Sequence, residues 1–423
     1  MSNPVVAKKG PGVLSNPFIR TAMLSHMMLQ IGIWVRNFAI LLYVTERTNH
    51  DPVAISLISV AEFAPIFVFS FVGGTFADRW RPKWTMVRCD LLSAISVCAV
   101  LLTLTFEVWE AVYFATFVSA VLSQFSQPSM MKLFKRQVPP EQQQGAMAMT
   151  QTLTGVFMVL GPALGGAIYG AFGIESSLGF TAVAFLASAL ILMRLPKDDA
   201  PLSSGGDRRR FVAELGDGFR YVMRSKVLRT LSITFAMVGL SSGIANTLGI
   251  FVVTELLGKP ESFMQYFQMV NGAAVLAGGI SVALLAKRMS PPQMLMLALV
   301  FDTAALIGMG YSTNTALTLA LNAVAGFFFP VIQVAISTMM LRWTEGAFMG
   351  RVGGVMMPMF TGTMVLMMAV SGPMLHVFSL GTMAIISGAF MLIGGLLQVV
   401  IMKEREPSFA QPPQPSQASS SAV

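Results

Sequence analysis

The sequence predicts an all-α protein that crosses a membrane twelve times, with its helices arranged as two pseudo-symmetric six-helix bundles. Three observations predict this fold class. The 423-residue chain is 54% hydrophobic and only 11% charged, whereas a soluble domain carries about 25% charged residues. Its apolar runs are long and continuous, which favours helices over the alternating strands of a barrel. The second half of the chain also repeats polar landmarks of the first.

Each predicted span is long enough to cross a hydrocarbon core of about 30 Å. The first half contains spans at 18–45, 53–77, 85–107, 110–134, 143–172 and 176–194. The second half contains spans at 228–256, 263–287, 292–311, 315–342, 348–376 and 379–402. Stretches rich in polar residues and proline, such as NHDP, WRPK, VPPE and MSPP, separate consecutive spans, as turn chemistry requires.

Composition sets the domain boundaries. Residues 1–17 form a polar N-terminal segment, 18–195 the first bundle and 228–402 the second bundle. The linker 196–227 begins with DDAPLSSGGDRRR and continues as FVAELGDGFRYVMRS. In the second part Phe211, Leu215, Phe219 and Val222 share one helical face, which predicts an amphipathic helix at the membrane interface. The tail 403–423 has too little apolar content to fold, and we expect it to be disordered.

The basic residues predict the orientation. Of the 28 lysines and arginines, 25 fall in or beside the segments that share a side with the termini. Arg47 and Lys259 fall on the opposite side, and Arg36 lies inside a span. This asymmetry predicts a multi-pass protein of the cell membrane with both termini in the cytoplasm. The net charge of +8 therefore follows from topology, so we expect contact with membrane lipid and no nucleic acid partner.

One offset relates the two halves. Asn37 matches Asn246, Val44-Thr45-Glu46 matches Val253-Thr254-Glu255, and Arg79 matches Arg288, each pair 209 residues apart. Later in the chain, Gly161-Pro162 matches Gly372-Pro373 after a shift of two residues. Matches of polar residues in one frame indicate a duplicated six-helix unit, an architecture in which two halves can expose a midplane site to either side in turn.

The stretch GGTFADRWRPK, residues 73–83, concentrates charge between the second and third spans. It resembles the signature loop of the major facilitator superfamily, G-x-x-x-D-R-x-G-R-R-x, with Gly74, Asp78, Arg79 and Lys83 on its positions. Arg81 and Pro82 depart from the pattern, as in the subgroup of macrolide-efflux and enterobactin-exporting proteins. The stretches FAPIFVFSFVGG, FSQPSMMKLFKRQVPPEQQQGAMAM and ELGDGFRYVMRSKVLRTL are also similar to that subgroup. The resemblance covers residues 18–402 and implies the major facilitator fold, with this loop as a cytoplasmic gate.

The stretch GPALGG, with Gly161, Pro162, Gly165 and Gly166, is similar to the antiporter motif of drug-exporting members of that superfamily. Proline removes one helical hydrogen bond and kinks the helix, and glycine allows close approach of helices. The motif either seals the outer half of a cavity or simply packs helices. Phe157 stands where the family pattern has a further glycine. The fourth span also lacks the arginine that often supports proton coupling in the family.

Ionisable residues at membrane depth are candidates for function. Arg36 in the first span and Glu62 in the second lie at similar depth. Three alternatives are open for these two residues. They form a static charge pair, they couple transport to protons or to a cationic substrate, or they make no contact with each other. Asp90 is a third candidate for proton coupling, although its place near Arg88 favours a network with Asp78. Trp34, Asn37, Phe63, Gln127 and Asn246 are the residues that we expect to line a substrate cavity.

These residues together predict a proton-coupled exporter of a small amphiphilic compound of drug, macrolide or siderophore type, working by alternating access as a monomer. The coupling is implied by the resemblance and by the lack of a P-loop motif, so we expect the proton gradient to be the energy source without any cofactor. The scattered cysteines and histidines predict no metal site, and no residue set predicts an enzyme. A lipid or lysolipid flippase of the same fold and a non-transporting membrane sensor or scaffold are the alternatives.

Overall fold

A computed structural model describes residues 16–70, 81–196 and 208–404. In the first half of this part, the helices are α1 (Pro17–Arg47), α2 (Pro52–Ser70), α3 (Pro82–Leu104), α4 (Ala111–Gln137) and α5 (Pro140–Met193). In the second half they are α6 (Arg208–Arg224), α7 (Lys226–Phe251), α8 (Met264–Leu285), α9 (Pro291–Tyr311), α10 (Thr315–Trp343), α11 (Met349–Leu375) and α12 (Leu380–Met402). A π-helical turn, Val252–Leu256, extends α7, and short 3-10 turns precede α8 and α11.

The all-α membrane fold is confirmed. Ten of the helical segments in the described part are long and apolar enough to cross a membrane. One of them, α5, covers both the fifth and the sixth predicted spans, which meet at Gly173 with φ 72 and ψ −172. Only glycine adopts such a backbone conformation readily, so it marks the turn between two antiparallel spans. The fourth predicted span corresponds to α4, which is a helix but is less apolar than the other ten.

The helix ends confirm the duplication. The first helix, α1, covers residues 17–47, and α7 with its π-turn covers 226–256, so both bounds differ by 209 residues. The same offset relates Pro82 to Pro291 at the starts of α3 and α9, and the end of α5 to the end of α12. The caps repeat as well, because Asn16 and Ser225 each accept a hydrogen bond from a backbone N–H in the first turn, as N-cap residues do.

The chain divides into two compact units. The first contains Met1–Gly205 and Gly258–Gly272, and the second contains Gly206–Leu257 and Ala273–Val423. The described residues of the first unit include two apolar clusters. One cluster includes Phe18, Leu133 and Leu192, and the other includes Ile40, Val97 and Phe185. The polar residues described below belong to neither cluster.

The predicted interfacial helix is present as α6 and belongs to the second unit. The Tyr221 ring stacks on Phe348 with centroids 4.5 Å apart, and the Tyr221 hydroxyl accepts a hydrogen bond from the Glu345 backbone N–H at 3.3 Å. Gly218 lies against the Arg351 carbonyl. The residues of the predicted apolar face of α6 differ in burial: Val222 is fully buried, whereas Phe219 is 53% exposed. One side of α6 therefore packs on the start of α11, and the other is available to the membrane interface.

The second unit offers a matched test of helix packing at Gly278 and Gly279. A Cβ at Gly278 would overlap the backbone carbonyl of Phe327, whereas Gly279 has open space around it. We expect Gly278→Ala to lower the free energy of unfolding by about 1–3 kcal/mol, because overpacking forces the helices apart. Gly279→Ala should be neutral or slightly stabilising, because alanine favours helix. Thermal unfolding of the two purified variants measures this, and equal melting temperatures would contradict the packing of α8 on α10.

Candidate functional site

The rotation of α1 is set by close contact with α5. A Cβ at Gly161 would overlap the Trp34 ring, and a Cβ at Gly165 would lie 2.6 Å from Phe38 Cβ. Glycine is therefore required at both positions of the GPALGG motif, and the two backbones approach closely. Trp34 and Phe38 flank Arg36 and Asn37 in sequence. The motif thus holds the part of α1 that carries the buried charge.

The motif also contacts the segment Gly258–Gly272 within the first unit. Gly166 lies against the Gln265 side chain, and Gly272 against the Met158 carbonyl. His50 Nε2 lies 2.8 Å from Glu261 Oε1. The start of α8, which belongs to the second half by sequence, is therefore held on α5 and on the α1–α2 turn. Pro162 is buried among these contacts.

Arg36, Asn37 and Glu62 form one hydrogen-bonded chain between α1 and α2. Arg36 Nε and Nη2 donate to Asn37 Oδ1 at 3.1 and 2.8 Å. Asn37 Nδ2 donates to Glu62 Oε1 at 2.8 Å. The amide of Asn37 therefore stands between the two charges. The sequence predicted similar depths for Arg36 and Glu62 and left open whether they are in contact. In the structure they are linked through Asn37, which the sequence predicted to line the substrate cavity.

The two charges differ in accessibility. Arg36 is only 3% exposed, and its Nη1 atom has no hydrogen-bond partner among the described residues. Glu62, Asn37, Trp34 and Phe63 are each partly exposed. A buried ion is tolerated when an opposite charge and hydrogen bonds compensate it. The hydrogen-bonded chain of these three residues is electrically neutral as long as Glu62 is ionised, and the acid is its more exposed end.

Asp90 takes part in a second polar chain, which is buried within the first unit. Ser188 Oγ donates to Asp90 Oδ2 at 2.6 Å, and Ser25 Oγ lies 2.8 Å from Ser188 Oγ. All three side chains are buried. The sequence favoured a network of Asp90 with Asp78, which lies outside the described residues; the described hydrogen bond of Asp90 is with Ser188 of α5, which in turn contacts Ser25 of α1. Sequence reasoning missed Ser25 and Ser188, because a serine in an apolar run gives no sign of its partner.

The second unit repeats this polar contact without the acid. Gln398 Nε2 donates to Thr234 Oγ1 at 2.8 Å, and Thr234 is the 209-residue counterpart of Ser25. The counterpart of Asp90 is Leu299, which is fully buried. Asp302 lies one turn further along α9 and is also buried. The duplicated fold therefore keeps a hydrogen bond between the first and last helices of each half, and adds a carboxylate to it only in the first.

Within the signature loop, the structure describes Lys83 but not Gly74, Asp78 or Arg79, which lie outside the described residues. Lys83 is buried, and its Nζ donates to the backbone carbonyls of Met193 at 2.8 Å and Leu195 at 2.5 Å. A cation at these positions satisfies carbonyl groups at the end of α5 and complements the negative end of the helix dipole. Lys83 thus ties the start of α3 to the end of α5.

The remaining cavity candidates do not form one cluster in the first unit. Asn37 contacts Glu62, and Trp34 and Phe63 are near these two residues in the sequences of α1 and α2, whereas Gln127 is exposed on α4. Asn246 belongs to the second unit, where it is exposed and donates to the Ser242 carbonyl at 3.4 Å. The structure describes no group of three or more His, Cys, Asp or Glu side chains that could hold a metal ion. Cys89 and Cys98 are both free.

Comparison with known families decides what kind of protein has this arrangement. A sequence model of the Major Facilitator Superfamily matches residues 22–315. The chain belongs to this superfamily. It is therefore a membrane transporter by family and not an enzyme, in agreement with the resemblance of the signature loop.

Several relatives within the superfamily are exporters by name. The chain is 26% identical to the multidrug efflux pump Tap of Mycolicibacterium fortuitum, over 86% of this chain and 91% of Tap. It is 22% identical to macrolide efflux protein A of Streptococcus pyogenes, over 74% and 75%, and 21% identical to the enterobactin exporter EntS of Citrobacter koseri, over 94% and 95%. The crystal structure of the D323A mutant of the nucleoside transporter NupG shares the fold, with TM-score 0.74, 14% identity and coverage of 91% and 99%.

Lys83 provides a test of the tie between α3 and α5. Lys83→Met keeps the apolar stem but removes the ammonium group, which leaves the carbonyls of Met193 and of buried Leu195 without that donor. We expect this to cost about 1–3 kcal/mol of unfolding free energy. Lys135→Met is the control, because Lys135 is exposed on α4 and should shift stability by less than about 0.5 kcal/mol. Thermal unfolding in detergent is the measurement, and an equal effect of the two changes would show that the Lys83 contacts add no stability.

Proposed function

We propose that this transporter is a proton-coupled exporter of small amphiphilic compounds in the cell membrane, and that it works by alternating access. The observation that carries the proposal is the chain Arg36–Asn37–Glu62. An ionisable pair at membrane depth is expensive and is retained mainly where it has a function. Proton-driven transport requires a side chain that binds and releases protons within the membrane, and Glu62 is a partly exposed acid in that position.

The charges of the site support coupling. When Glu62 is ionised, the hydrogen-bonded chain Arg36–Asn37–Glu62 carries no net charge. When Glu62 takes up a proton, the buried guanidinium of Arg36 loses its compensating charge, and an uncompensated buried ion costs several kcal/mol. The protein can reduce this cost by a change of conformation or by loss of a bound ligand. Protonation therefore has a means of biasing an equilibrium between two states, as coupling demands.

The accessible residues support the substrate class. Glu62 and Asn37 supply a carboxylate and an amide, and Trp34 and Phe63 supply aromatic surface beside them. Apolar walls with a few polar groups are typical of small-molecule sites. Substrate binding beside Glu62 and proton binding to Glu62 must influence each other, because linkage between two ligands is reciprocal. Export is the direction that the names of the relatives suggest.

Purified protein in liposomes tests this proposal. A pH gradient should drive accumulation of a radiolabelled macrolide or an amphiphilic dye, and an uncoupler should abolish it. Glu62→Gln keeps the size and the hydrogen-bonding capacity but cannot ionise, so we expect pH-driven accumulation to fall about tenfold or more. Glu110→Gln, in a side chain that is exposed at the start of α4 and caps nothing, should leave it unchanged.

Two results would argue against the proposal. Full pH-driven accumulation in the Glu62→Gln variant would remove Glu62 from the coupling mechanism. Movement of a labelled phospholipid between leaflets, without any pH-driven uptake of macrolide or dye, would favour the flippase. Growth inhibition of cells with and without the protein, with the same compounds, selects the substrates for the liposome measurement.

A further inference from the structure

The Asn37 amide is oriented by its two neighbours. Its oxygen accepts two hydrogen bonds from Arg36, and its nitrogen donates one to Glu62. An amide has one acceptor end and one donor end, so a guanidinium on one side and a carboxylate on the other impose a single orientation. Asn37 is therefore held as a bridge between a cation and an anion that do not bind each other directly.

Both charged groups keep unused hydrogen-bonding capacity. Arg36 Nη1 is buried without a partner, and Glu62 Oε2 accepts no hydrogen bond from the described residues. An orphaned buried donor costs free energy, so a native structure retains one chiefly where function uses it. The free carboxylate oxygen is the atom to which a proton can add while Oε1 keeps its hydrogen bond from Asn37.

The duplicated half shows what the same positions contain without charge. The 209-residue counterparts of Arg36, Asn37 and Glu62 are Ala245, Asn246 and Asn271. The amide of the middle residue is kept, and the two charges are replaced by neutral side chains. The second half therefore forms its helices with neutral side chains at all three positions, so the helical repeat by itself does not require the charges of the first half.

We infer that Asn37 is the positioning residue that couples the charge of Glu62 to Arg36. This inference rests on the proposed function, in which Glu62 carries the coupling proton. With Glu62 ionised, Asn37 joins the two charges and holds α1 to α2. A proton that adds to Oε2 converts the carboxylate to a neutral acid without breaking any covalent bond of the protein. Arg36 then has no anion at the other end of the bridge, which destabilises this arrangement of α1 and α2.

On the helices next to α2, few ionisable groups other than Arg36 could compensate the charge of Glu62. Among the described residues of its own unit, helix α2 packs most closely against α4 and less closely against α1. The remaining ionisable side chains of α1 and α4 are Arg20, His26, Tyr43, Glu46, Arg47, Tyr113, Lys132, Lys135 and Arg136. Most lie in the terminal turns, and His26 contacts Thr154 on α5. Arg36 is thus the charged group that shares a hydrogen-bonded chain with Glu62.

The test is a cycle of variants in liposomes. Asn37→Leu removes both halves of the bridge at similar volume. We expect it to lower pH-driven accumulation about tenfold and to flatten the pH profile of substrate movement, whatever its effect on the KM for substrate. The second background is Arg36→Ala with Glu62→Asn, which copies the neutral half. In this double variant, substrate movement should not depend on a pH gradient, and adding Asn37→Leu to it should leave that independence unchanged.

Further variants separate coupling from folding. Asn37→Gln keeps both the donor and the acceptor of the amide, so substrate accumulation by this variant should still depend on pH. Asn246→Leu changes the neutral counterpart and should leave the pH profile as in the natural chain, whatever its effect on the KM for substrate. If Asn37→Leu does not accumulate in membranes, Asn37→Ser replaces it, because serine is too short to join the two charges and adds no apolar bulk.

The outcomes distinguish the inference from the proposed function. If Glu62→Gln still accumulates substrate against a gradient, the proposed role of Glu62 fails, and the inference fails with it. If Glu62→Gln is uncoupled but Asn37→Leu or Asn37→Ser keeps the natural pH profile and full accumulation, the inference alone is overturned. Loss of accumulation in Asn37→Leu with an unchanged pH profile of substrate movement would also overturn it, because it would show that Asn37 is needed for structure or substrate binding and not for coupling.

Discussion

The burial of one positive charge, Arg36, constrains the structure around it. A guanidinium at membrane depth needs acceptors and a negative charge, because lipid and apolar side chains supply neither. Asn37 supplies the acceptor, and Glu62 supplies the charge at the other end of the amide. This requirement links α1 to α2, keeps an acid in the membrane, and leaves that acid partly accessible. In the mechanism that we propose, the charge state of Glu62 thereby affects the stability of a contact between helices.

Close packing makes that connection specific. The glycines of the GPALGG motif let Trp34 and Phe38 of α1 lie directly on α5, so α1 cannot rotate to carry Arg36 toward another partner. Ser25 and Ser188 tie the same two helices together through hydrogen bonds, with Asp90 as the final acceptor. A rigid pair of helices beside a contact that depends on charge is a suitable basis for two discrete conformations, because packed cores are bistable rather than continuously deformable.

The duplicated architecture separates what the fold needs from what transport needs. Helix bounds, N-caps and the contact between first and last helices recur at the same offset in both halves. The buried charges do not recur, because Ala245, Asn271 and Leu299 stand where the first half has Arg36, Glu62 and Asp90. The recurring features stabilise each unit. The features found only in the first half are those that can change with protonation.

The sequence by itself determined the helical class, the spans, the duplication and the superfamily, because apolar length and repeated polar positions are properties of the chain that need no three-dimensional partner. It also identified Arg36, Glu62 and Asp90, because charge in an apolar run is visible in one dimension. Only the tertiary structure decided their partners. Asn37 bridges two charges, Asp90 accepts a hydrogen bond from Ser188, and Lys83 donates to carbonyls at the end of α5. The sequence does not show these partners, because a hydrogen bond depends on the positions of neighbouring helices to within about an ångström. Those positions are set by packing between residues far apart in the chain.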